Sequence, residues 1–286
     1  MQGDLGRVQA NYDGEPEREW QRLEGGAQAR LEYIVTRHAL ARHLPTPTPA
    51  LQILDAGGGP GRYTIALAQQ GYRMTLLDLS PALLTLAKER IAVAGPEVQQ
   101  RVVATVEGSI TDLGVFSEGQ FDAVLCLGGV LSHLPAADDR RRALRELRRM
   151  VRPNGLIFIS AFNRLAGFRS AVQWPAAWSQ FFPRLLYGGQ VPMGPSALPT
   201  YSFYPEEFVA ELAAADLDVR TLYGCQGLGA HLQEDNLLAL MDDAARWPSW
   251  QQVLLDTCDH PNIVGVSSHL LAVASPNDTA DASAAT

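Results

Sequence analysis

A glycine-rich segment that follows an acid could bind a nucleotide-like ligand. Asp55 ends a short apolar run, and Gly57, Gly58, Gly59 and Gly61 follow it. Glycine lets the backbone turn tightly and approach a ligand closely, and four glycines are more than a plain strand-to-helix turn needs. Ligands of open α/β sheets bind at the carboxyl ends of the strands. The segment therefore predicts a ligand site directly after a strand.

Two classes of cofactor compete for this segment. A dinucleotide fold requires G-x-G-x-x-G, but Arg62 stands at the third glycine of that pattern and Pro60 occupies the turn. The spacing is D-x-G-x-G-x-G instead. Asp78 ends the next apolar run, where its carboxylate could accept hydrogen bonds from both hydroxyls of a ribose. Since NAD and S-adenosylmethionine both carry a ribose diol, Asp78 alone leaves the choice open.

The D-x-G-x-G-x-G spacing resembles motif I of the class I S-adenosylmethionine-dependent methyltransferases. Residues 121–129 are similar to motif IV of that family, and residues 151–156 to its turn before the fifth strand, with Asn154 in place of a glycine. The resemblance is strong over residues 50–161 and points to the small-molecule methyltransferases of ubiquinone and biotin biosynthesis. It implies S-adenosylmethionine as cofactor and methyl transfer, by in-line displacement, to a small, partly apolar metabolite.

The resemblance also implies which residues meet the cofactor. Ser109 stands where the family often has an acid for the adenine, and the next candidate acid along the chain is Asp112. The main chain of Ser109 and Ile110 could serve instead. The N-terminal residues Tyr12 and Arg22 would close over the cofactor, and either Arg22 or Arg62 would pair with its carboxylate. The predicted cofactor contacts are Asp55, Gly57, Gly59, Gly61, Arg62, Asp78, Leu79, Ser109, Ile110, Leu127, Tyr12 and Arg22.

A candidate catalytic base and a candidate acceptor pocket complete the predicted site. His133 follows the fourth predicted strand and could act as a base, although a packed or capping histidine is an equal alternative. Residues 162–204 are rich in proline, glycine and aromatic residues, which is typical of a lid. The predicted acceptor contacts are His133, Trp174, Tyr201, Phe203 and Tyr204.

Composition and missing motifs weigh against other functions. The 23 basic and 31 acidic residues give a net charge of −8, opposite in sign to most proteins that bind nucleic acid or anionic lipid. The arginine run at 140–149 fits the solvated polar face of a helix better than an RNA surface. Three cysteines far apart favour a reducing compartment and no metal site. We expect a cytoplasmic monomer or homodimer, without a signal peptide, a membrane span, nucleic acid or bound metal.

Two alternatives to a small-molecule methyltransferase stay open from the sequence. One is a cofactor-binding protein without turnover, and the other is a methyltransferase directed at tRNA or protein. The negative charge weighs against the tRNA version. A protein acceptor is compatible with everything that the sequence shows.

An alternation of strands and helices provides the frame for these residues. Strands are predicted at 51–56, 73–78, 101–106, 121–127, 155–161, 218–223 and 265–274, and helices at 61–70, 81–94, 138–151, 205–215 and within 17–44 and 230–258. This alternation predicts a Rossmann-like, doubly wound sheet of seven strands, mostly parallel. The resemblance adds an antiparallel last strand.

The predicted domain organisation has three parts. Residues 1–49 form a helical segment with a proline-rich linker, whose first ten residues are expected to be loose. Residues 50–274 form the methyltransferase domain, with a lid inserted at 162–204. Residues 275–286 form a disordered tail.

Overall fold

A central seven-stranded sheet organises the chain in the computed structural model, which describes residues 2–22, 24–171, 178–190 and 198–277. The strand order is β3-β2-β1-β4-β5-β7-β6, with β7 antiparallel to both of its neighbours and the other pairs parallel. The predicted fold class is thereby confirmed. The strands are β1 (Gln52–Ala56), β2 (Arg73–Asp78), β3 (Val102–Glu107), β4 (Phe121–Cys126), β5 (Val151–Phe162), β6 (Leu217–Gly224) and β7 (His269–Pro276).

Helices cover both faces of the sheet because the strands are apolar on both sides. Ile53 and Leu125 face one layer, whereas their neighbours Leu54 and Val124 face the other. The helices are α1 (Gln2–Gly14), α2 (Pro16–Arg22), α3 (Ala27–His43), α4 (Arg62–Gln69), α5 (Pro81–Val93), α6 (Pro96–Arg101), α7 (Ala137–Met150), α8 (Arg164–Ala171), α9 (Trp178–Gly188), α10 (Pro205–Ala213), α11 (Glu234–Met241), α12 (Trp247–Thr257) and α13 (Pro261–Val264). Helices α3 and α4 pack on the first face, and α7 and α10 on the second.

The sheet gathers the predicted ligand residues at one edge. Strand β1 lies between β2 and β4, so the strand order reverses there. Asp55 and Asp78 end neighbouring parallel strands. Open α/β sheets bind their ligands at such a reversal, outside the carboxyl ends of the strands.

The N-terminus and the 96–101 segment differ from the sequence-based prediction. Residues 2–10 are not loose, because they belong to α1. Leu5, Val8 and Tyr12 lie three and four positions apart, which places them on one face of that helix, and Val8 is buried. A further short helix, α6, follows the end of α5, where the sequence predicted no helix. Pro96 suits its first turn.

The predicted lid segment is partly helical and its ends are fixed to the domain. Helices α8 and α9 lie within this segment. Asn163 pairs with Phe203, and the buried Arg164 donates to the carbonyl of Ser202 and to the carboxylate of Glu207. Whether the segment opens as a lid stays a prediction.

The predicted tail begins too early, because residues 275 and 276 complete β7. Residues 278–286 lie outside the described part of the chain. None of the described helices is long and apolar enough to cross a membrane.

Candidate functional site

The glycine loop between β1 and α4 is tied to the end of β2. The backbone N–H groups of Gly57 and Gly58 both donate to the carbonyl of Leu77, over 2.7 and 3.1 Å. Gly57 has a φ of +79°, in the left-handed region, and a Cβ there would lie 2.7 Å from a methyl carbon of Val130. Only glycine satisfies both the backbone conformation and the close approach at this position.

Asp78 is fixed by two backbone donors. The N–H of Gly59 donates to Oδ2 over 2.7 Å, and the N–H of Ser80 donates to Oδ1 over 2.9 Å. Burial raises the pKa of Asp78 to about 6, although these hydrogen bonds favour the ionised form. Because a carboxylate oxygen can accept more than one hydrogen bond, each oxygen keeps capacity for a donor from a ligand.

Asp55 is the second buried acid at the sheet edge. Its Oδ2 accepts a hydrogen bond from the Thr64 hydroxyl over 2.6 Å, whereas Oδ1 has no partner in the described part of the chain. Burial raises the pKa of Asp55 to about 6, and the nearby charge of Asp78 acts in the same direction. An acid with an unpartnered oxygen in a buried place favours a ligand that brings hydrogen-bond donors or positive charge.

A cavity of about 980 Å³, part of it open to solvent, lies above these acids. Eleven of the twelve predicted cofactor contacts line it. The exception is Gly61, which caps α4 and has the side chains of Ala87 and Leu76 as neighbours. Sequence reasoning missed Leu5, Val8 and Gln9 of α1, which also line the cavity. Their helical spacing was the signal that could have found them.

The two candidate arginines differ in how fully they are engaged. Arg62 donates from Nε and Nη2 to the carbonyl of Trp20, and its guanidinium lies 4.1 Å from the centre of the Trp20 ring. Arg22 donates from Nε to Glu19 over 2.7 Å and from Nη1 to Glu32 over 3.4 Å. The Nη2 of Arg22 lies beside Gly128, at the cavity wall. Arg22 is therefore the better placed of the two to meet an anionic group.

Tyr12 and His133 meet at the end of the cavity. The hydroxyl of Tyr12 lies 3.0 Å from Nε2 of His133, and the two rings meet edge to face. Burial lowers the pKa of His133 to about 4, so the ring is neutral at pH 7. Burial also raises the pKa of Tyr12, which keeps its phenol protonated. His133 lines both cavities, as a weak base that already has a partner.

A second cavity of about 760 Å³, open solvent included, adjoins the first. The two cavities share the residues Tyr12, Arg22, Gly128 and His133. The other walls of the second cavity are formed by Gln28, Ala29, Glu32, Phe162, Gln226, Ser268 and His269. No local pattern in the sequence marks this set, because its members come from α3, the end of β5, the loop after β6 and the start of β7.

The structure does not bring the predicted aromatic acceptor residues to either cavity. Phe203 is fully buried in the core beside Phe208. The Tyr201 ring covers the guanidinium of Arg140 at 3.8 Å, and Tyr204 lies 4.4 Å from that of Arg164. These three rings pack against core residues and buried cations, and so do not serve as a pocket wall. Trp174 lies outside the described residues.

Arg140 also corrects the expectation of a solvated arginine face on α7. Its side chain is 3% exposed and pairs with Glu211 over 2.7 Å. It donates further to the carbonyls of Leu134 and Pro135. Only part of the run, Arg142 among it, is exposed as predicted.

The first cavity fits S-adenosylmethionine in its chemistry. Asp78 offers acceptors to a ribose diol, and the unpartnered oxygen of Asp55 favours a donor-rich or cationic ligand. Leu79 and Ile110 provide apolar wall for an adenine, and Arg22 can meet a carboxylate.

Comparison with known proteins also indicates a methyltransferase. Residues 54–159 match the family described as "Methyltransferase domain". A ubiquinone biosynthesis O-methyltransferase of Xanthomonas campestris pv. campestris (strain B100) is 31% identical over 198 residues, which are 68% of this chain and 71% of the relative.

Solved structures share the fold at lower identity. An S-adenosylmethionine-dependent methyltransferase from Methanosarcina mazei aligns with a TM-score of 0.56 at 16% identity, over 83% of this chain and 96% of that one. A TehB-like methyltransferase from Corynebacterium glutamicum aligns with a TM-score of 0.51 at 18% identity, over 93% and 99%. The relative from Xanthomonas is similar in sequence as well as in fold class, because its identity exceeds 30% over most of its length. The chain therefore belongs to the class I S-adenosylmethionine-dependent methyltransferases and is an enzyme whose methyl donor is S-adenosylmethionine.

Proposed function

We propose that this enzyme methylates a hydroxyl group of a small, partly apolar metabolite that binds in the second cavity. The observation that carries the proposal is the meeting of the two cavities at Tyr12, Arg22, Gly128 and His133. A cofactor in the first cavity and an acceptor in the second would share this junction. The name of the Xanthomonas relative, an O-methyltransferase of ubiquinone biosynthesis, supports an oxygen acceptor of small size.

The first cavity would hold the cofactor along its whole length. Asp78 accepts the ribose hydroxyls, the main chain at Ser109 and Ile110 meets the adenine, and Arg22 pairs with the carboxylate beside Leu127. When bound, S-adenosylmethionine supplies a methyl group on a sulfonium, which is already activated for in-line displacement. Leu5 and Val8 of α1 add apolar side chains to the wall of this cavity.

The second cavity would bind and orient the acceptor. Phe162 and Ala29 give it an apolar wall, while Tyr12 and His133 place a hydrogen-bonding pair at the junction. Because the methyl group needs no further activation, holding the acceptor oxygen in line can supply much of the acceleration. The neutral His133 and the protonated Tyr12 are suited to hold a hydroxyl group by hydrogen bonds.

The same proposal includes a cytoplasmic location, which the three separated cysteines support. All three are buried and none forms a disulfide. A tRNA acceptor is disfavoured by the net charge of −8. A cavity formed by side chains of α3 and the ends of β5 and β7 suits a metabolite better than a folded protein.

A cavity-filling variant tests the proposal. Ala29 lines only the second cavity, so Ala29→Leu should reduce methyl transfer to phenols and alcohols by about tenfold or more while the affinity for S-adenosylhomocysteine stays unchanged. Ala210→Leu, at an exposed site on α10, is the matched control. Transfer is measured with a methyl-labelled cofactor and a panel of hydroxyl, amine and thiol compounds. Undiminished transfer by Ala29→Leu, or transfer confined to amines or thiols, would contradict the proposal.

A further inference from the structure

A second histidine lies on the wall of the second cavity and is held in place from several sides. His269 is the first residue of β7, and its Nδ1 lies 3.0 Å from Oε1 of Glu32. Its ring lies 5.0 Å from the Phe162 ring, centre to centre. Its backbone N–H donates to the side-chain oxygen of Gln226. The ring therefore has a defined position rather than that of a surface side chain.

The charge on Glu32 decides which ring nitrogen of His269 carries the proton. Burial opposes ionisation of Glu32, but the neighbouring His269 and Arg22 outweigh it and lower the pKa of Glu32 to about 2. If Nδ1 carried no proton, its lone pair would face a lone pair of the carboxylate oxygen at 3.0 Å, which is repulsive. The proton therefore belongs on Nδ1, and in a neutral imidazole the other nitrogen is then the acceptor.

The acceptor nitrogen of His269 remains open to the cavity. Nδ1 of His269 is buried and faces Oε1 of Glu32 at 3.0 Å, so Nε2 is the ring nitrogen left for the second cavity, which His269 lines. In the part of the chain that the structure describes, Nε2 of His269 makes no hydrogen bond. Since His269 lines the second cavity, the lone pair on Nε2 is available to a molecule bound there.

The other ionisable groups of this cavity are poorly suited to accept a proton. Tyr12 stays protonated because burial raises its pKa, and Arg22 is a cation. The pKa of Glu32 is lowered to about 2, so its carboxylate is a very weak base. Burial lowers the pKa of His133 to about 4, and its Nε2 already faces the Tyr12 hydroxyl.

We propose that Nε2 of His269 is the general base that takes the proton from the acceptor hydroxyl, and that Glu32 is the positioning residue that fixes its tautomer. The inference rests on the proposed hydroxyl methylation. In the step, the acceptor oxygen forms a bond to the methyl carbon as the bond from that carbon to sulfur breaks. The O–H electron pair stays on the oxygen, and the proton moves to Nε2, from which water removes it after release of the product.

Nitrogen-15 NMR of the histidine-labelled protein without cofactor tests the tautomer directly. We expect His269, identified by the signals that His269→Gln removes, to carry its proton on Nδ1 and a lone pair on Nε2 at pH 7.5. Glu32→Gln should shift His269 towards a mixture of the two tautomers. A proton on Nε2 in the wild-type protein would overturn the inference.

Kinetics test the role in proton transfer. His269→Gln should lower kcat by about 100-fold or more, since general-base catalysis contributes about 10²–10⁴-fold. Its affinity for S-adenosylhomocysteine should stay within about threefold of wild type, which also shows that the variant folds. His38→Gln, beside Tyr223 and outside the lining of both cavities, should behave as wild type in kcat.

Glu32 has a signature that a purely structural residue would lack. Glu32→Gln should lower kcat together with the change in the His269 tautomer, which a substitution with a merely structural effect would leave unaltered. If instead His269→Gln keeps kcat while His133→Asn loses it, the base is His133 and the inference fails, although hydroxyl methylation stands. Absence of any transfer to hydroxyl compounds by the wild-type enzyme would remove the proposed function, while the NMR result still reports on the tautomer.

Discussion

The hydroxyl of Tyr12 and Nε2 of His133 lie 3.0 Å apart, although 121 positions separate them in the chain. This contact joins α1 to the segment after β4. It lies where the two cavities meet, so the N-terminal helix forms part of both walls. Helix α1, whose first residues the sequence suggested were loose, thus contributes directly to the site.

Removal of the Tyr12 hydroxyl should impair acceptor use more than cofactor binding. Tyr12→Phe keeps the ring that covers the first cavity and loses one hydrogen bond, whose net contribution is about 0.5–1.5 kcal/mol. We expect kcat/KM for the acceptor to fall by about three- to tenfold, with the affinity for S-adenosylhomocysteine unchanged. Tyr33→Phe, which loses a contact only with Arg37, is the control. An equal loss in both variants would argue against a specific role of Tyr12.

Asp78 should dominate the affinity for the cofactor. If its carboxylate accepts both ribose hydroxyls, Asp78→Ala loses two charge-assisted hydrogen bonds of about 1.5–3 kcal/mol each before relaxation. Titration calorimetry with S-adenosylhomocysteine should show at least a tenfold loss of affinity. Asp112→Asn changes an exposed acid outside the cavity and should bind as wild type. Wild-type affinity in a folded Asp78→Ala protein would refute the assignment.

Cofactor affinity should also depend on pH below neutrality. The pKa of Asp78 is raised to about 6 by burial, and a ribose diol binds to the ionised form. The affinity should therefore be constant above pH 7 and decrease below pH 6, approaching about tenfold for each pH unit. Asp55 has a pKa of about 6 as well, so Asp78→Asn and Asp55→Asn are titrated separately. A dependence that survives in Asp78→Asn but not in Asp55→Asn would assign the titration to Asp55.

An added methyl group in the glycine loop should be more harmful than one in a comparable turn. Gly57 and Gly119 both have left-handed φ values, +79° and +62°. A Cβ at Gly57 would lie 2.7 Å from Val130, whereas at Gly119 the nearest atom, of Arg152, is 3.8 Å away. Both alanine variants should lose about 1–2 kcal/mol from backbone strain, but only Gly57→Ala should also lose cofactor affinity. Calorimetry and thermal unfolding distinguish these effects.

The buried Arg140 should contribute to stability and not to RNA binding. Arg140→Ala leaves the carboxylate of Glu211 without its cation and exposes two carbonyls that lose their donor. We expect a loss of about 3 kcal/mol in the free energy of unfolding, measured by denaturant titration. Arg142→Ala, on the exposed side of α7, should change it by less than about 0.5 kcal/mol. Similar small effects of both variants would show that the Arg140–Glu211 pair is not stabilising.

Several features of the site follow from local sequence alone. A D-x-G-x-G-x-G spacing after an apolar run specifies a strand, a loop with left-handed positions and a helix, because each depends on residues close together in the chain. Ser80 and Pro81 marked the start of α5 for the same reason, and the Ser80 hydroxyl accepts from the N–H of Leu83 as a cap does. The spacing of Leu5, Val8 and Tyr12 also indicates a helix, although the neighbouring glycines weaken that prediction because glycine disfavours helices.

The acceptor side of the site was decided by tertiary structure. Glu32 on α3 and His269 on β7 become neighbours only because α3 packs on the face of the sheet where β7 crosses beside β5. Arg140 shows the same limit, since helical periodicity placed it on a polar face and the packing of α10 against α7 buried it. Periodicity predicts the direction in which a side chain leaves its own helix or strand, whereas the partner of that side chain lies on a segment distant in the sequence, 71 positions away for Arg140 and Glu211. The sequence by itself therefore determined the cofactor loop and the fold, and only the packing of distant segments decided which groups surround the acceptor.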